Sequence, residues 1–152
     1  MTNPARLIMA ICLLINMSTV PANGALQDAE FYFQQGLQAY EADDYETAVT
    51  SLEKATEMDQ SRSEYFHYLG KSYGKLAQES NWFRAMDLSQ KTLVALKQAV
   101  QLDENNDRAV IDLIKFYRQA PAFLGGDEKK AAELEKRLAG KTGGGLQDTV
   151  QQ

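Results

Sequence analysis

The sequence predicts an all-α fold: about three antiparallel helix pairs in a row, the second pair elongated by an insertion. Three observations carry this. Gly36 and Gly70 stand 34 residues apart, each inside an amphipathic helical pattern, where glycine costs about 1 kcal/mol relative to alanine. A glycine repeated at such a cost points to close backbone approach. Small residues at Gly36, Ala48 and Ala55 let two helices touch, while Tyr32, Tyr45 and Leu52 fill the gaps to neighbours. Behind Gly70, Leu96 and Ala99 stand in the places of Leu52 and Ala55.

Residues 1–24 read as a secretory signal, with one cation (Arg6), an apolar run from Leu7 to Met17, and then small and polar residues. The run is short of the roughly 20 apolar residues that span a bilayer, and Asn16 interrupts it. Small-x-small sites end at Ala22 and at Gly24; the second is preferred, so cleavage is expected near Gly24 and the location is expected to be periplasmic or secreted. Cys12 is the single cysteine and follows Ile11 rather than a small residue, so a lipoprotein is not expected. The remaining chain then has no disulfide, thiol nucleophile or thiolate metal site. Losing Arg6 leaves 15 basic against 21 acidic residues, a charge of −6. That balance gives no reason to expect nucleic acid or anionic lipid as a partner.

The helical domain is expected over 25–139. In "EADDYETA", Asp43 or Asp44 caps the second helix and Tyr45 plugs the hairpin. Gly36 to Ala55 is 19 residues but Gly70 to Ala99 is 29. The extra residues, "QESNWFRAMDLSQ" or part of them, keep helical spacing through Trp82, Phe83, Met86 and Leu88. This predicts two long helices joined near Ser80-Asn81, with Asn81 as a cap and Trp82 packed in the core. The third pair opens with "DRAVIDLIKFYRQA", whose stripe of Val110, Leu113, Ile114 and Tyr117 is apolar; Ile114 stands where the other units have glycine.

Pro121 then forbids further helix, because it lacks an N–H and disfavours helix at Ala120. Phe123 and Leu124 are expected to fold back onto the repeats, Gly125 and Gly126 to allow positive φ, and Asp127 to cap the last helix. A phosphate loop is excluded: no strand precedes these glycines and no Lys-Ser/Thr pair follows. In the last helix, Ala131, Leu134 and Leu138 share one face, with acids in the first turn and Arg137 near the end. The glycine-rich tail, 140–152, is expected to be disordered.

The glycine spacing and the Gly36, Tyr45, Ala48, Leu52 and Ala55 register resemble the tetratricopeptide repeat (TPR), whose units are helix pairs of about 34 residues. The elongated second unit and "QAPAFLGGDEKKA" are also similar to small exported bacterial TPR proteins of undefined activity. The resemblance covers roughly residues 29–139. It implies a TPR-like α-solenoid in which the first helix of each pair lines a concave groove. Carried over by position, that groove takes Phe33, Leu37 and Tyr40 from the first unit and Glu64, His67 and Lys71 from the second. The third gives Arg108, Ile111, Lys115 and Arg118. One end is apolar and aromatic, the other basic. Leu37, Asp112 and Ile111 break the pattern of the family's carboxylate clamp.

No catalytic set is found. His67 is the single histidine, and "DENND" at 103–107 fails as a calcium loop because Arg108 and Ile114 replace the required glycine and glutamate; it reads as a turn between pairs. No cofactor or metal is expected. The expected function is an exported, non-catalytic scaffold binding a protein or peptide client in its groove. The alternative is a self-assembling, homo-oligomeric repeat protein, since an uncovered solenoid end can pair with another copy.

Overall fold

In a computed structural model, residues 22–144 are described. They form helices α1 (Ala22–Glu41), α2 (Tyr45–Met58), α3 (Ser63–Glu79), α4 (Trp82–Leu102), α5 (Asp107–Gln119) and α6 (Glu128–Gly144), with a 3-10 turn at Ala122–Leu124 before α6. Consecutive helices pair as α1/α2, α3/α4 and α5/α6, and α2 and α4 pack on the first helix of the next pair. No strand occurs among the described residues. Of the expected signal, 1–21 lie outside the described residues and the rest belongs to α1. Of the expected tail, 145–152 lie outside them, while α6 continues helically to Gly144. Lys141 near that end donates from Nζ to Asn105 Oδ1 at 3.0 Å and to the Glu104 carbonyl.

The helix starts are set by short polar side chains that satisfy otherwise orphaned backbone donors. Asp44 Oδ1 accepts from Thr47 N at 3.1 Å, Asn81 Oδ1 from Arg84 N at 3.2 Å, and Asn106 Oδ1 from Ala109 N at 3.1 Å. Asp127 Oδ1 accepts from Lys129 N and Lys130 N at 3.1 and 3.2 Å. Asp43, the other candidate cap, instead takes φ 59 and accepts the Tyr45 hydroxyl. The turns between pairs repeat one device: Asp59 Oδ1 accepts from Ser61 N and Asp103 Oδ1 from Asn105 N, both at 2.9 Å. "DENND" is therefore a turn between pairs.

Within the first two pairs, backbone approach sets the packing. A Cβ on Gly36 would lie 2.6 Å from Leu52 Cγ, and one on Gly70 would lie 2.9 Å from Leu96 Cγ. Leu52 is 0% exposed and Leu96 3%. The second pair is elongated on both sides. α3 runs to Glu79 beyond Gly70, whereas α1 stops at Glu41 beyond Gly36; α4 starts at Trp82, well ahead of Ala99. At the tip of this hairpin Trp82 and Phe83 are 62% and 84% exposed. Trp82 is thus not a core residue, contrary to the expectation from spacing; the buried stripe of α4 begins at Leu88. Its ring lies 6.3 Å from Phe123, itself exposed.

After Pro121 the expectation holds for Leu124 and Gly125, whereas Phe123 stays exposed and Gly126 does not take positive φ. Leu124 is buried, and Gly125 adopts φ 99 with its Cα so close to α4 that a Cβ would lie 2.4 Å from Leu93 Cδ2. This loop is a structural turn that ties the third pair to the elongated helix.

Two glycine substitutions have opposite expected signs. Gly36→Ala adds a methyl where Leu52 already sits, and overpacking of this kind costs about 1–3 kcal/mol. Gly140→Ala in α6 meets nothing within 4 Å and gains up to about 1 kcal/mol of helix propensity. Urea denaturation of each variant is expected to show a lower midpoint for the first and an unchanged or higher one for the second.

Candidate peptide-binding groove

Helices α1, α3 and α5 lie side by side and supply all ten residues assigned to the groove. Phe33 and His67 are beneath its surface. Phe33 is 2% exposed, stacked on Tyr65 with centroids 4.5 Å apart and set edge-on to Tyr68 at 5.9 Å. His67 is 4% exposed, and its Nε2 lies 2.8 Å from Asp112 Oδ2. Both side chains therefore join neighbouring inner helices; Phe33 is closed off from a ligand, and His67 shows only an edge to the cavity beside Arg108. Leu37 is half-buried against the first core.

The aromatic part of the floor is built from Tyr40 and Tyr68, edge to face at 5.9 Å. Lys71 places its Nζ 4.9 Å from the Tyr40 centroid and 4.8 Å from that of Tyr68, a cation held over two ring faces. Burial pushes the Tyr40 hydroxyl pKa up, and the Asp112 charge adds to this. The Tyr40 hydroxyl therefore stays protonated and can donate.

Asp112 is the electrostatic centre. Burial alone would raise its pKa, but the hydrogen bonds and charges of His67 and Lys115 outweigh it and hold the carboxyl down at about 2. Lys115 Nζ is 3.1 Å from Asp112 Oδ1. Arg118 is engaged too, with Nη2 2.7 Å from Glu135 and Nε 3.6 Å from Glu128. The basic end expected from sequence is thus largely neutralised by carboxylates of α5 and α6. Arg108 is exposed and, of these four cations, is the one with neither an ion pair nor a ring beneath it among the described residues. It borders a cavity of about 480 Å³ beside α3, lined by Arg62, Glu64, His67, Tyr68 and Asn106 among others. Ile111 next to Asp112 is 39% exposed.

Two site residues escaped sequence reasoning. Tyr68 follows His67 and shares its helix face only in part, yet its ring anchors the floor. In sequence Asp112 shows only as a departure from the carboxylate-clamp pattern; its partner His67 is 45 positions away, and no local signal links the two. Among the described residues no group of three or more His, Cys, Asp or Glu could hold a metal, and no helix is long and apolar enough to cross a membrane.

No family model matches the chain, and no curated protein does. Among solved structures, the TPR domain of Arabidopsis OM64 matches with a TM-score of 0.53 at 19% identity, over 77% of this chain and 98% of that one. The fold is TPR-like, an α-solenoid of helix pairs.

The Asp112 carboxylate gives a pH signature. Its pKa is lower folded than unfolded, where 3.8 is the ordinary value, so its stabilisation is full above about pH 4 and is lost as pH falls through about 2. Asp112→Asn is expected to be less stable than the parent at neutral pH. The gap in thermal midpoint should close between about pH 4 and pH 2.

Proposed function

We propose that this protein is an exported, non-catalytic scaffold that holds an extended protein or peptide segment along the inner face of α1, α3 and α5. A TPR-like fold suggests a protein–protein interaction scaffold, and such folds are typically non-catalytic. The observation that carries the finer reading is the composition of that face. Two tyrosine rings carry Lys71, and Arg108 stands without a carboxylate partner among the described residues.

This arrangement favours a ligand that lays apolar side chains over Tyr40 and Tyr68 and brings one carboxylate to Arg108. Lys115 and Arg118 are held by intramolecular partners and serve the scaffold rather than the ligand. The amino-terminal residues, with one cation ahead of an apolar run, support export to the periplasm or medium.

Selection from a random peptide display library tests the reading. Enriched sequences are expected to combine an acidic residue with aromatic or aliphatic neighbours. Arg108→Glu should bind the selected peptides roughly tenfold or more weakly, as loss of a charge-assisted hydrogen bond of about 1.5–3 kcal/mol implies. Peptides that bind both forms equally, or no enrichment at all, would remove the groove model.

A further inference from the structure

The repeat register fixes which residues meet between successive inner helices. Gly36, Gly70 and Ile114 hold the same place in α1, α3 and α5. Three residues before them stand Phe33, His67 and Ile111; two before, Gln34, Tyr68 and Asp112; five before, Phe31, Tyr65 and Ala109. The third-before residue of one helix touches the second-before residue of the next in both internal junctions. Phe33 meets the Tyr68 ring at 5.9 Å, and His67 meets Asp112 at 2.8 Å. In the first junction Phe33 also stacks on the fifth-before residue, Tyr65, at 4.5 Å.

The two ends of the row carry the unmatched halves of this junction. Ile111, the third-before residue of the last inner helix, is 39% exposed. It borders an apolar cleft of about 270 Å³ shared with Ile114 and Leu138, rimmed by Lys115, Arg118 and Glu135. Phe31, the fifth-before residue of the first inner helix, is 64% exposed. The ends also differ in charge. α1 carries Asp28, Glu30 and Glu41 and no lysine or arginine, whereas α5 carries Arg108, Lys115 and Arg118 against Asp107 and Asp112.

We propose that a second copy of this chain docks its α1 on the α5/α6 end of the first, in the place of a further inner helix, with Phe31 of one copy in the Ile111 cleft of the other. The contact is head-to-tail, so each copy keeps one free end, and the product is an open row or a ring rather than a closed dimer. It lies at the α5/α6 end of the row, in the Ile111 cleft, away from the Tyr40, Tyr68 and Lys71 surface assigned to the ligand.

The test uses the full chain and two variants, Phe31→Glu and Ile111→Glu, whose folding is checked by circular dichroism; both sites are exposed, so the helices should persist. One helix on a helix pair makes an interface below about 1,200 Å², so light scattering and sedimentation should run up to about 1 mM. The parent is expected to gain mass steadily with concentration, and each variant alone to stay monomeric. A mixture of the two retains one intact Phe31 end and one intact Ile111 end. It is therefore expected to form dimers and nothing larger. The proposal is overturned by a parent that stays monomeric throughout, by variants that assemble as the parent does, by only one variant losing assembly, or by a mixture that remains monomeric.

Discussion

The close approach of two helix backbones at a glycine, with a leucine seated over it, is the constraint from which the rest of the structure follows. A Cβ on Gly36 or Gly70 would fall inside the contact distance of Leu52 or Leu96, and those leucines are almost wholly buried. This fixes the rotation and depth of each hairpin. Once fixed, the hairpins present Phe33, Tyr40, Tyr68 and Lys71 in register, because these residues are counted in helical turns from the glycines. In the third pair Ile114 takes the glycine's place. There the junction relies on Ala131 and Leu134 of α6 and on the loop that closes over Leu93.

How much of this was legible depends on whether the information is local. Caps are local: an Asp or Asn ahead of an apolar periodic run satisfies its own next N–H groups, and Asp44, Asn81 and Asp127 do so. The break at Pro121 is local for the same reason, as is the positive φ at Gly125. The repeat glycines were legible because a costly residue recurred at a fixed spacing.

What failed depends on partners far along the chain. Trp82 has helical spacing with Met86, yet it lies off the stripe of α4 that is buried from Leu88 onward, and that stripe is set by packing on other helices. Phe33 and His67 sit on the correct helix face for a groove but are covered by Tyr65, Tyr68 and Asp112. The basic end looked available because its counter-charges, Glu128 and Glu135, come from the next helix. Burial converts these pairings into local rules: Asp112, half enclosed, keeps its charge only because His67 and Lys115 face it. A surface pair such as Arg118–Glu135 contributes little to stability, but it occupies a cation that a ligand would otherwise use.

The glycine–leucine contact is tested most directly by a double-mutant cycle of Gly36→Ala and Leu52→Ala, measured by urea denaturation. Leu52→Ala alone should cost about 2–5 kcal/mol through the cavity it leaves. If glycine is needed because Leu52 occupies the space, the alanine at 36 should be tolerated, or even stabilising, once Leu52 is trimmed, with a coupling of about 0.5–3 kcal/mol. Additive effects would contradict the account, since they would mean that Gly36 is held for a reason other than the leucine above it.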